Sequence, residues 1–251
     1  GLRRMINGTT SHGSQALAEE HKLEPLSYYS RFGALGDVYD VLAGNVPNAQ
    51  RTGVIGLGAG AVACLGSPAR HYDFYEINPA VIDIAKDERY FTYLSDCGAT
   101  TDVIPGDGRM QLHKAADGYY DMVIVDAFSS DNVPVHLLTT EATKLYAEKT
   151  REGGMVVFHI SNRYLNLKPV LSANAEALGM QALFRFSPSG KIPGTDLRYT
   201  RALYGVLTRN KDTLETLLKK EWRPHLPGEE GFRPWTDDYA NILGVYRAPV
   251  F

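Results

Sequence analysis

A chain of 251 residues, 44% hydrophobic and 22% charged, is long enough for a full core and has the composition of a globular protein rather than a fibrous or disordered one. Its net charge of −3 is spread over interspersed acids and bases, which leaves out the basic block that nucleic-acid binding needs. No apolar run approaches the roughly 20 residues of a membrane span, and no signal peptide is visible, so the chain as given reads as soluble.

It opens on Gly-Leu-Arg-Arg without an initiator Met, as a processed chain or a domain of a longer one does. Residues 1 to about 50 lack strong helical periodicity and carry Thr, Ser, Gly and Tyr in short groups; β-hairpin-like strands and loops fit them. From Arg51 the pattern changes to strand and helix in alternation. TGVIG reads as a short apolar strand, AVACLG as the opening of a helix, and HYDFYEI as the next strand. Pro79 stands where a first helical turn accepts proline, ahead of AVIDIAKDERYF. TDVIPGDG is a strand and turn. YDMVIVDAF has the continuous apolar run of a strand buried on both faces. A long amphipathic helix over PVHLLTTEATKLYAEKT follows, then a strand at GGMVVFHIS and a helix at LKPVLSANAEALG. MQALFRFS and RALYGVLT make a closing strand pair, and DTLETLLKK a last helix. Cys64 and Cys97 have no metal-type partners at short spacing and read as buried or free thiols of a reducing compartment.

Strands and helices alternating at this length predict an α/β, doubly wound, mostly parallel sheet. Such sheets bind ligands outside the carboxyl ends of their strands, so the residues after each apolar run matter most. After the first run comes Gly56-Leu57-Gly58-Ala59-Gly60-Ala61, a turn that lets backbone approach a nucleotide. Read as G-x-G-x-x-A it suits a dinucleotide, and read as G-x-G-x-G it suits S-adenosylmethionine. Glu76, 20 residues beyond Gly56, is placed to accept both ribose hydroxyls of either ligand. Gly106-Asp107-Gly108 offers an acid to the exocyclic amine of adenine, and Asp126 stands where a sulfonium and its carbon chain would lie. Three acids at successive strand ends suit adenosine plus a cation and would repel a pyrophosphate.

These motifs resemble the spermidine synthase (polyamine aminopropyltransferase) family. GLGAG, YEINP, GDGR and DAFSSDNVP match its glycine turn, second-strand acid, GDG and Asp-Ser-Ser-Asp-like loop; Asn7-Gly8 and Tyr28-Tyr29 match its N-terminal segment. INGTTSHGSQ, DAFSSDNVPVHLLTTEA, HISNRYLNL and WTDDYANIL look like the subgroup often fused to membrane-spanning segments. The resemblance implies a methyltransferase-like Rossmann fold over residues 51–251, with an antiparallel closing strand, preceded by a small N-terminal β domain or lid over residues 1–50. It implies transfer of an aminopropyl group from decarboxylated S-adenosylmethionine to a polyamine amine, releasing methylthioadenosine. Gln15, Tyr28, Gly56, Gly58, Gly60, Glu76, Ile77, Asp107, Gly108 and Asp126 would hold the donor. Tyr29, Asp131 and Asp237, with Asp238 beside it, would face the acceptor. Asp126 and Asp131 would be catalytic, Asp126 orienting and deprotonating the attacking amine, which must be neutral to react although a free alkylamine is protonated near pH 7. A sulfonium is already a good leaving group, so no metal is expected. A cytoplasmic homodimer, or the cytoplasmic domain of a membrane-anchored protein, is the implied setting. His12, His136 and His159 read as packing or hydrogen-bonding residues, with His12 the best placed of them for chemistry.

Two departures from the family pattern stand out. Its glycine turn carries an Asp for the amine of the decarboxylated donor, and Ala59 occupies that position here. Either the tail binds through other acids, or the donor is intact S-adenosylmethionine, used for methyl or aminocarboxypropyl transfer, cyclisation or elimination. The family's two loop acids are close together, whereas four residues separate Asp126 from Asp131 here; Asp131 either takes the second acid's place or caps the helix beginning near Pro134. A nucleoside sensor without turnover is the contrasting class, and Asp126 argues against it.

Overall fold

The computed structural model of the chain describes residues 1–7, 10–45, 51–127, 134–225 and 232–246. Strands β1 (Leu2–Asn7) and β2 (Thr10–Ala16) pair as an antiparallel hairpin, and helix α1 (Ala34–Asn45) follows. The alternating region runs β3 (Arg51–Ile55), β4 (His71–Glu76), α2 (Pro79–Lys86), α3 (Tyr93–Asp96), β5 (Thr100–Pro105), α4 (Gly108–Leu112) and β6 (Tyr120–Val125). It continues with α5 (Thr140–Lys149), β7 (Thr150–His159), α6 (Lys168–Ala177) and β8 (Gln181–Ser187). A small hairpin of β9 (Gly190–Lys191) and β10 (Arg198–Tyr199) precedes β11 (Ala202–Thr208) and α7 (Lys211–Lys219).

Seven strands form one sheet in the order β5-β4-β3-β6-β7-β11-β8. The pairs from β5 through β7 are parallel, and β11 runs antiparallel to both β7 and β8. This is the methyltransferase-like Rossmann arrangement with an antiparallel closing strand. β6 is buried at every position because each face of the sheet has its own core. Met122 and Ile124 face a core shared with Leu35 and Val38 of α1 and Leu217 of α7. Val123 and Val125 face a second core with Tyr146 of α5 and Leu171 of α6. Each buried aliphatic side chain contributes about 1.5–3 kcal/mol, so two covered faces hold the central strands firmly. β3 lies between β4 and β6, the point where successive connections run to opposite sides and a crevice opens at the strand ends.

Three expectations need correction. α1 is a helix within the stretch read as strands and loops. No local Ser, Thr, Asp or Asn cap announces it; its Ala34 N–H donates instead to Ser187 Oγ of β8, at 2.7 Å. AVACLG opens no α-helix either: residues Ala61–Cys64 make a single 3-10 turn, followed by Gly66 and Pro68. Cys64 and Cys97 are not free thiols but a disulfide, with their Cα atoms 5.0 Å apart. Among the described residues no helix is long and apolar enough to cross a membrane.

Candidate active site

β3 ends where the glycine turn begins. Gly56 has φ 103° and donates its N–H to Tyr75 O at 2.8 Å; a Cβ there would stand 2.2 Å from Asp126 O, so only glycine fits between β4 and β6. Gly58, at φ 54°, meets the hairpin in the same way, with a Cβ placed 2.3 Å from His12 O. β2 therefore crosses directly over the turn, and Ala59 N donates to His12 O at 3.0 Å. Ala59 is fully buried beneath it, and a methyl group on Gly13 would stand 2.7 Å from Ala59 Cβ. Ala59 thus packs directly against the Gly13 backbone of the hairpin.

A cavity of about 530 Å3 opens beside this turn, within the usual range for small-molecule sites. Of the sequence-predicted residues, Tyr28, Tyr29, Gly56, Gly58, Glu76, Ile77, Asp107, Gly108 and Asp126 line it. Glu76 ends β4 and accepts two backbone N–H groups, Leu57 on Oε2 at 3.0 Å and Asn78 on Oε1 at 2.8 Å. Those bonds fix the carboxylate while each oxygen keeps a lone pair for a hydroxyl. Ile77 is 68% exposed and forms part of the open wall. Asp107 caps α4, Oδ1 accepting from Met110 N at 2.9 Å, while Oδ2 lies 3.1 Å from His136 Nε2.

The other end of the cavity is closed by Asp126, just past β6, whose side chain is 4% exposed. Tyr29 Oη donates to its Oδ2 at 2.6 Å, and His159 Nδ1, at the end of β7, lies 2.8 Å from its Oδ1. Burial first, and the neighbouring Asp126 charge second, push Tyr28, Tyr29 and Tyr204 well above the ordinary phenol range. Tyr29 therefore stays a hydrogen-bond donor at any working pH. His159, read from the sequence as a packing or hydrogen-bonding residue alongside His12 and His136, does hydrogen-bond, and its partner is Asp126. Its one signal is position: it ends the apolar run of β7 at the same sheet edge as Asp126.

Three of the described predicted residues do not join this cluster. Gln15 is buried away from the cavity, its Nε2 donating to Lys22 O and Thr92 Oγ1 at 3.0 Å each and its Oε1 accepting from Thr92 N at 3.1 Å; it clamps the hairpin to the segment ahead of α3. Gly60 packs against Leu94 rather than facing the cavity. Asp237 makes a bidentate pair with Arg109, at 2.7 Å on each side, and accepts from Thr139 Oγ1 at 2.8 Å. The Arg109 hydrogen bonds hold its carboxyl below the usual range. Asp131 lies outside the described residues. The described trio with metal-ligand chemistry, His71, Asp73 and Asp102, sits on β4 and β5 outside the cavity lining.

No protein-family model matches the chain. In sequence it is 38% identical over 100 residues to a polyamine aminopropyltransferase of Vibrio vulnificus, covering 38% of this chain and 32% of that one. It is 29% identical over 131 residues to putrescine N-methyltransferase 3 of Nicotiana tabacum, covering 49% of this chain and 33% of the other. The chain thus spans about a third of the length of the curated relatives it matches. In structure it is similar to a probable spermidine synthase from Corynebacterium glutamicum, with a TM-score of 0.62 at 14% identity, over 85% of this chain and 78% of that one. A spermidine synthase from Thermotoga maritima gives a TM-score of 0.51 at 12% identity, over 98% and 85% of the two chains. By partial sequence identity and by a fold shared along most of its length, the chain resembles the spermidine synthase, or polyamine aminopropyltransferase, family.

Proposed function

We propose that the protein is a spermidine synthase-like aminopropyltransferase that takes decarboxylated S-adenosylmethionine as donor and a polyamine amine as acceptor. The observation that carries this reading is Asp126, a nearly sealed carboxylate at the inner end of a cavity whose outer half offers Glu76 and Asp107. Glu76 would take the ribose hydroxyls and Asp107 the adenine amine, in place of its contact with His136. Asp126 would then lie beside the sulfonium. The attacking amine nitrogen forms a bond to the propyl carbon as that carbon's bond to sulfur breaks. Methylthioadenosine leaves, and the nitrogen's surplus proton passes to Asp126. Positioning and proton removal are the enzyme's tasks, because the sulfonium leaves readily. Tyr28 and Tyr29 would wall the transferred chain, and Asp131 would serve the acceptor's second amine.

A second reading, chemistry on intact S-adenosylmethionine, is favoured by Ala59. Its burial under β2 leaves the turn without an acid to meet a donor amine, and the absent negative charge suits a donor that keeps its carboxylate. Relatives named as aminopropyltransferase and as putrescine N-methyltransferase both match the chain, which supports an amine acceptor under either reading. The deciding experiment incubates the protein with decarboxylated or intact S-adenosylmethionine, with and without putrescine or spermidine, and identifies products by mass spectrometry. Methylthioadenosine with a lengthened polyamine is the expected result. Methylthioadenosine without an acceptor means cyclisation or elimination. S-adenosylhomocysteine means methyl transfer and removes the aminopropyl reading.

A further inference from the structure

His159 is held on every side. Its Nδ1 faces Asp126 Oδ1 at 2.8 Å, and its Nε2 faces Ser161 Oγ at 2.8 Å. Ser161 Oγ also accepts from Leu203 N at 2.9 Å, which pins that oxygen to β11. The Tyr28 ring stacks on the imidazole at 4.2 Å with 16° between planes, and Tyr204 covers it at 4.9 Å and 32°. An ionised carboxylate has no proton to give, so Nδ1 carries the hydrogen and donates to Asp126. In the neutral ring Nε2 then accepts the Ser161 hydroxyl, which sets the tautomer.

Asp126 thus receives two donors from two separate parts of the chain, Tyr29 on one oxygen and His159 on the other. A donor on each oxygen fixes the plane of the carboxylate. Packing does not demand an imidazole here, since a phenylalanine ring would also fill a slot between two tyrosines. What phenylalanine lacks is the N–H. On the reading of the cavity as an adenosyl-sulfonium site, we infer that His159 is a positioning residue of the reaction, its Nδ1–H fixing the orientation of the Asp126 carboxylate at the inner end of the cavity.

The titratable groups around this pair are Tyr28 and Tyr29 from the N-terminal segment and Tyr204 from β11. Across the cavity stand Glu76, Asp107, His12 and His136. The three tyrosines are raised far above neutrality, so they do not titrate between pH 5 and 8.

The test titrates the wild type, His159→Phe and His159→Asn by calorimetry from pH 5 to 8. The ligands are methylthioadenosine, a neutral thioether, and the sulfoniums S-adenosylmethionine and its decarboxylated form. A wild type that binds none of them removes the reading of the cavity, and the inference falls with it. Given wild-type binding, His159→Phe is expected to bind methylthioadenosine normally and the preferred sulfonium about tenfold more weakly. His159→Asn keeps an amide N–H near the place of Nδ1 and is expected to recover most of the loss. A Phe variant with wild-type sulfonium affinity overturns the inference. An Asn variant no better than Phe overturns it too, as do variants that lose thioether and sulfonium alike, the mark of a merely structural ring.

Discussion

Glu76, Asp107 and the glycine turn sit at consecutive strand ends, whereas Asp126, Tyr29 and His159 meet from three distant stretches of chain. Glu76 reaches back only 19 positions to Leu57, while 97 positions separate Tyr29 from Asp126 and 33 separate His159 from it. The proposed nucleoside end is thus a property of three consecutive strands, and the proposed reacting end a property of the assembled fold. Local spacing can specify where a ribose is gripped. How the Asp126 carboxylate is held depends on segments that become neighbours only in the finished fold.

Substitutions can break this comparison, beginning with the most severe. Asp126→Asn removes the charge and the proton acceptor while keeping the shape. Turnover is expected to fall by about 10³-fold or more, the upper range for a lost general base, with methylthioadenosine affinity nearly unchanged by calorimetry. An equal loss of thioether affinity would mean that the two ends are not separable.

Opening the Cys64–Cys97 staple comes next. It closes a loop of 33 positions between the glycine turn's 3-10 segment and the end of α3. In the chain-entropy picture its loss costs about 3–4 kcal/mol. Urea unfolding of Cys64→Ser/Cys97→Ser, or of the reduced protein, is expected to show a lower midpoint, and an unchanged midpoint would assign the bridge no constraint on folding.

Glu76→Ala leaves the Leu57 and Asn78 N–H groups without their partner and removes the proposed ribose acceptor. Nucleoside binding is expected to weaken by roughly hundredfold, about 3 kcal/mol. If turnover at saturating donor falls as far as in Asp126→Asn, the division of labour between the two ends is wrong.

The smallest effect belongs to Asp237, whose side chain, paired with Arg109, is 45% exposed. Solvent screening limits it to about 0.5 kcal/mol. The Asp237 carboxyl is lowered by the Arg109 hydrogen bonds, so its stabilisation is complete above the ordinary carboxyl range and fades as pH falls through the lowered value. Asp237→Asn is expected to lower the melting temperature slightly at pH 7 and to match the wild type in strong acid. A large rise in the acceptor's KM at pH 7 would instead place Asp237 at the substrate.

The same contrast explains what could be read in advance. β3 through β7 and the closing pair β8 and β11 announce themselves through apolar runs and strand-helix alternation. The nine predicted residues that line the cavity lie in motifs or beside them. α1 was missed because its cap comes from Ser187, on the far side of the chain. The disulfide was missed because nothing local brings position 64 to position 97. Gln15 and Asp237 are polar and lie near suggestive motifs, yet their hydrogen bonds serve as clamps between segments. Polarity in a sequence does not say whether a side chain will meet a ligand or a neighbouring loop.

The bond from Ala34 to Ser187 also bears on the order of folding. Its two ends are 153 positions apart. During synthesis α1 leaves the ribosome long before β8 exists, and its first turn must wait without the cap it will later use. An isolated helix of 12 residues is marginal in water. α1 therefore gains the partner of its first N–H only once β8 has been made. Synthesis from the N-terminus gives the capped form of this helix no head start.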